Sequence, residues 1–167
     1  MAGIDAWPVL SGCAMEIFGH GVLISGDPGI GKSDLLIELL NRGHVFIADD
    51  AVALNNRNGR LLAAAPPATA GIIALRGMGL IDLNRLFSPD HLKATTTVEL
   101  QLALHKLGGQ PQRESALLGT PQITYWQKVA VATINLPVTG QRPLATLAEI
   151  CVKWFFDLNQ QQKSGSN

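Results

Sequence analysis

Eight consecutive residues, Gly26-Asp27-Pro28-Gly29-Ile30-Gly31-Lys32-Ser33, match the pattern G-x-x-x-x-G-K-[ST]. Each fixed position has a mechanical reason. The glycines let the backbone turn so that successive N–H groups face a phosphate chain. A helix beginning at the end of the motif adds partial positive charge from its N-terminus. Lys32 reaches the β- and γ-phosphates, and the Ser33 hydroxyl is offered to Mg²⁺. The flanks suit the motif: residues 22–25 read as a strand, and residues 32–42 as a helix with Leu35, Leu36, Leu39 and Leu40 at helical spacing, stopped by Gly43. All eight residues are therefore candidate nucleotide-binding positions, and the chain is read as binding ATP or a related nucleotide with Mg²⁺.

The next apolar run, residues 45–48, ends in Asp49-Asp50. Asp49 lies only 17 positions beyond Lys32, room for one helix and one strand. Sequential strands are usually neighbours, so the pair is expected beside the P-loop. There, one carboxylate can organise Mg²⁺ and the other can accept a proton from an attacking hydroxyl. Away from phosphate the same pair would be an ordinary solvated turn or helix cap.

The remaining pattern is rich in strand. Residues 14–18 read as a strand before the one that enters the P-loop. Residues 51–55 and 60–65 flank Asn56-Arg57-Asn58-Gly59 as a hairpin. Residues 71–75 are apolar and precede a glycine-punctuated Arg76-Gly77-Met78-Gly79. Residues 98–104 alternate as a strand, 107–122 read as an extended loop, and 128–136 as another strand. Residues 144–158 carry Leu144, Leu147, Ile150, Cys151, Trp154, Phe155 and Leu158 on one helical stripe. No repeat or linker interrupts this order. It is read as one α/β domain over residues 1–159, with a polar tail over 160–167 that is expected to be disordered.

Several classes are excluded or disfavoured. Of the 167 residues 47% are apolar and 16% charged, and the formal net charge is zero. No basic run supports nucleic-acid binding. No apolar stretch is long enough for a membrane span, and the N-terminus lacks a signal-peptide pattern. Cys13 and Cys151 form no CxxC and fit a reducing compartment, so the chain is expected in the cytoplasm. His20, His44, His91 and His105 show no metal-ligand spacing. The two cysteines and the cluster Trp154, Phe155 and Phe156 are read as packing residues.

Taken together, the stretches Gly21 through Asp34, Arg42-Gly43-His44 with Ala48-Asp49-Asp50, Ala64-Ala65-Pro66-Pro67 with Leu75 through Asp82, and Leu136-Pro137-Val138 with Gly140-Gln141-Arg142 resemble the catalytic domain of the HPr kinase/phosphorylase family. The resemblance runs over residues 9–156. It implies a P-loop kinase fold related to phosphoenolpyruvate carboxykinase, with ATP and Mg²⁺ as cofactors. It implies a serine of HPr, or of a similar phosphocarrier, as substrate, a role in regulating carbohydrate metabolism, and assembly as a homo-hexamer. Asp50 becomes the proton acceptor, with the reverse role in phosphorolysis. Lys32 binds phosphate, Ser33 and Asp49 serve the metal, and Arg76 belongs to the catalytic surface.

This sequence departs from the family pattern at three places. Ser11-Gly12 stands where the family has histidine-glycine. Ala74 stands where it has a metal-binding glutamate. Leu117 stands where it has an arginine before leucine-glycine, with Arg113 nearby. No separate N-terminal domain is recognisable. Loss of a positive charge near a transferring phosphoryl weakens transition-state stabilisation, which Arg76 or Arg142 can offset. Two alternatives follow from these departures: a nucleotide-binding sensor without turnover, and a kinase for a different protein or a small molecule.

Overall fold

The computed structural model describes residues 3–106 and 121–165. Its spine is one long strand, β9 (Thr95–Lys106), where the sequence pattern marked only 98–104. Twelve residues span about 40 Å, enough to serve two groups of strands. The start of β9 pairs antiparallel with β6 (Arg60–Ala64). Its later part lies between β3 (His20–Ser25) and β11 (Val129–Val138), both parallel to it. Beyond β3 come β2 (Cys13–Ile17) and β4 (Val45–Ala48); beyond β6 come β5 (Ala51–Arg57) and β1 (Val9–Ser11). β10 (Gln122–Trp126) pairs with β11. The hairpin between β5 and β6 turns at Asn58-Gly59, both at positive φ (55° and 84°), as a two-residue turn between twisted strands requires.

Every residue of β2 is buried because the sheet is covered on both faces. On one face Met15, Ile17, Val22, Ile24, Leu100 and Leu102 meet Leu35, Leu36, Leu39 and Leu40 of α1 (Lys32–Asn41). On the other, Ala14, Leu23 and Val98 pack with Ile47, Val52, Leu54 and Leu61. Burying each α1 leucine stabilises the fold by roughly 1.5–3 kcal/mol. Glu16, a charge inside this frame, accepts hydrogen bonds from Lys93 Nζ (2.9 Å) and Thr96 Oγ1 (2.6 Å), which satisfies it.

The second helix, α2 (Leu144–Ser164), corrects two expectations. Residues 160–164 continue the helix. Glutamine and lysine are fair helix formers, Gln161 donates to Asp157 one turn earlier, and Gly165 closes the end. The buried face keeps Leu144, Leu147, Cys151 and Phe155 of the expected stripe but departs from it at two positions. Ala145, Ala148, Cys151 and Val152 face inward, whereas Ile150 and Trp154 are 48% and 51% exposed. Small Ala145 and Ala148 allow close approach to α1 and β11, while Leu144, Leu147, Phe155 and Phe156 pack partly buried against the same core. β7 (Ile72–Leu75) and β8 (Gly79–Asp82) form a separate hairpin that hydropathy had suggested only in part. Most of the expected loop 107–122 lies outside the described residues. Among the described residues no helix is long and apolar enough to cross a membrane.

Candidate active site

Strands β3, β4, β9 and β11 run in one direction, so their carboxyl ends share one edge of the sheet. That edge is where open α/β sheets bind ligands. The P-loop leaves β3 there. Gly31, at φ +108°, caps α1 without a side-chain bond, a conformation that a residue with Cβ adopts only with strain. The first α-helical bond runs from Leu35 N–H to Gly31 O at 3.0 Å, so the preceding N–H groups have no partner of that kind within the helix and face the loop mouth. Lys32 Nζ donates to Gly26 O (2.6 Å) and Asp27 O (3.0 Å). The ammonium is therefore held over the loop it is expected to serve.

The two aspartates are side by side in sequence and opposite in environment. Asp49 is 4% exposed. Its Oδ1 accepts from the Ser33 hydroxyl at 2.9 Å and from the Cys13 thiol at 3.2 Å. Its Oδ2 accepts from Ala74 N–H at 3.1 Å. Asp50 is exposed and sits at φ +66°. Ala51 N–H bonds Asp49 O at 2.7 Å across it, which makes Asp50 the apex of a three-residue turn of the strained kind. Strain of this sort collects at functional positions. Asp49 is fixed and desolvated; Asp50 is presented to solvent.

Arg76 reaches the same place from the β7–β8 hairpin. Its Nη2 lies 3.0 Å from where a Cβ on Gly29 would be, so the guanidinium lies against the P-loop. Leu75 O accepts from Met78 N–H at 3.0 Å, closing the turn that aims Arg76. Arg142 follows β11 at an exposed position.

The departures from the family pattern map onto this geometry. Ser11 pairs with Ala51, and Gly12 N–H bonds Asp50 O at 3.1 Å, so positions 11 and 12 buttress the Asp50 turn. Ala74 touches the Asp49 carboxylate through its backbone, so a side chain at 74 borders the same group. Arg113 and Leu117 lie outside the described residues. Cys13, read from sequence as packing, is a donor to Asp49; nothing in the local pattern marks that role, because the contact closes 36 residues away. Burial, and secondarily the charge of Asp49, push its thiol up to about 12 against the pull of the Asp50 backbone N–H, so it is present as a protonated donor.

These residues fit Mg²⁺. Ser33 Oγ and Asp49 Oδ1 are hard oxygens 2.9 Å apart, the separation of adjacent ligands in an octahedron with bonds of about 2.0–2.1 Å. Among the described residues no group of three or more His, Cys, Asp or Glu side chains forms a cation site. Ser33 and Asp49 would supply two ligands to such an ion, the others coming from phosphate and water, which Mg²⁺ commonly keeps.

Comparison with known proteins gives one answer. A family model described as the HPr Serine kinase C-terminal domain matches residues 7–166. The HPr kinase/phosphorylase of Lacticaseibacillus casei (strain BL23) is 35% identical over 148 residues, 87% of this chain and 46% of that protein. The HPr kinase/phosphorylase of Clostridium tetani (strain Massachusetts / E88) is 33% identical over 141 residues, 84% of this chain and 46% of that protein. The chain thus spans about half the length of these relatives. Among solved structures, the Hpr(Ser) kinase/phosphatase from Coxiella burnetii matches with a TM-score of 0.86 and 29% identity, covering 95% of this chain and 96% of that one.

Proposed function

The chain belongs to the HPr serine kinase C-terminal domain family, and from that premise we propose that it is an ATP- and Mg²⁺-dependent protein serine kinase. Its substrate is a serine of HPr or an HPr-like phosphocarrier, with phosphorolysis as the reverse activity. The proposal treats residues 1–159 as one catalytic domain acting in the cytoplasm as a homo-oligomer. Exposed Ile150 and Trp154 on α2 suit a subunit contact. The observation that carries the reading is the division of labour between Asp49, buried and bonded to Ser33, and Asp50, exposed beside it.

The loop N–H groups and Lys32 bind and orient the β- and γ-phosphates. Ser33 and Asp49 would hold Mg²⁺, which when bound offsets phosphate charge. Asp50 accepts the proton of the incoming serine hydroxyl while that oxygen bonds to the γ-phosphorus and ADP leaves with the bridging oxygen. Arg76, against the loop, stabilises negative charge on the transferring group. In reverse, protonated Asp50 returns the proton to the serine oxygen as phosphate takes the phosphoryl group. The test is incubation of the purified chain with labelled ATP, Mg²⁺ and HPr. Serine phosphate on HPr is expected. ATP binding without transfer to HPr would instead favour the nucleotide sensor.

A further inference from the structure

We propose that Gln101 is a positioning residue for the P-loop, its buried side-chain amide clamping Ser25, the residue directly before the loop. This rests on the reading of the loop as a nucleoside triphosphate site. Gln101 lies on β9 and is 5% exposed. Its register partners are Leu23 of β3 and Thr133 of β11. It therefore shares the sheet face of Leu23 and Val131, away from α1. An amide in such a place costs stability unless it is hydrogen-bonded, and this one has a partner at each end.

Trp126 Nε1 donates to Gln101 Oε1 at 2.7 Å, and Gln101 Nε2 donates to Ser25 Oγ at 2.8 Å. An indole N–H can only donate, so Trp126 fixes which end of the amide faces it and turns the NH₂ group toward Ser25. The far end of the chain is anchored as well. Asn56 Nδ2, on β5, donates to Gln127 O at 2.9 Å, in the turn that follows Trp126. Ser25 makes the last β3–β9 pair, with Ala103. Its main chain is held by that pairing and its side chain by Gln101. Two holds on one residue set the direction in which Gly26 leaves the sheet. Gly26 O in turn accepts from Lys32 Nζ at 2.6 Å, so the clamp sits one residue from a contact of the phosphate-binding lysine.

The polar chain places residues more than it stabilises the fold. An apolar side chain would suit the position, as Leu100, Leu102 and Leu104 suit the other face of the same strand. Apolar replacement of hydrogen-bonded partners in a matching shape can be nearly neutral for stability. Ser25 and Trp126 are both half-buried, within reach of water if the amide is lost. What an apolar residue cannot supply is a directed bond from β9 to Ser25, with its orientation set from β10.

The test measures ATP binding with Mg²⁺ by calorimetry, and thermal unfolding without nucleotide, for the wild type, Gln101→Met, Ser25→Ala and the double variant. Each single change should weaken ATP binding about tenfold, and the double variant should be no weaker than either, because the two residues act as one unit. Tm should stay within about 4 °C of wild type. Ser25→Thr, which keeps the hydroxyl, should bind ATP as the wild type does. If Gln101→Met fails to fold, Trp126→Phe decides: it releases the amide from its far side and should weaken ATP binding several-fold. Unchanged ATP affinity in Gln101→Met or Trp126→Phe, losses that add in the double variant, or a loss in Ser25→Thr equal to that in Ser25→Ala would overturn the clamp and leave the P-loop reading standing. Failure of the wild type to bind ATP would overturn both.

Discussion

The Cys13 thiol donates a hydrogen bond to Oδ1 of Asp49 at 3.2 Å, from a fully buried position next to the P-loop serine. Asp49 thus depends on a thiol as one of its three donors. Cys13→Ala removes the donor and leaves only a small void. It is expected to cost about 1 kcal/mol of stability and to raise the Mg²⁺ concentration needed for half-maximal ATP binding. Cys13→Ser, which keeps a donor, should restore the Mg²⁺ dependence. Thermal unfolding and Mg²⁺ titration check both. With its thiol pushed up to about 12, Cys13 should also resist alkylation near neutral pH until the chain unfolds.

Ala74 tests the metal site from the other side. Its backbone N–H touches Asp49, and its side chain is exposed. Ala74→Glu would add a carboxylate beside the Ser33–Asp49 pair. The expected result is a Mg²⁺ requirement lowered several-fold, since added ligand charge strengthens hard-cation sites, with ATP affinity at saturating Mg²⁺ unchanged.

Arg76 lies against Gly29 of the loop. If it stabilises charge on the transferring phosphoryl, Arg76→Ala should lower kcat about 100-fold with a small change in ATP binding. Steady-state kinetics, separating kcat from KM, distinguish this from loss of substrate docking.

A fourth expectation concerns the joint between the two helices. Glu149 of α2 bonds Arg42, at the end of α1, and His44 Nε2 at 2.7 Å. These contacts, the Arg42 bond foremost, hold its carboxyl below the ordinary value. Folding therefore weakens its hold on a proton. Its contribution is complete above the usual glutamate pKa of about 4.3 and disappears as the pH falls through the lower folded value. Glu149→Gln should lower Tm at neutral pH, and the difference from wild type should vanish in acid. Thermal melts across that range measure it.

The sequence carried the P-loop, α1, β4 and the Asn-Gly hairpin with few errors, because motif spacing, helical periodicity and turn chemistry are local signals. The Asp49–Asp50 pair was also readable, since one helix and one strand cannot carry it far from Lys32. What escaped depends on tertiary partners. The inward face of α2 adds the small residues Ala145 and Ala148 to the expected stripe and leaves out Ile150 and Trp154. β7 and β8 were obscured because Leu80 and Ala74 are exposed while Ile73 is buried, a weak alternation broken by glycines. Cys13 gained its role from a residue 36 positions away.

The central claim is that Asp50 takes the proton of a serine hydroxyl, and Asp50→Asn tests it most directly. Asparagine tolerates positive φ, so the turn at φ +66° should survive while the base is lost. With labelled ATP, Mg²⁺ and HPr, the account predicts serine phosphate on HPr from the wild type and none from Asp50→Asn, with ATP affinity retained by the variant. Equal transfer by the two chains, or no transfer by the wild type where a related kinase transfers in parallel, would contradict it.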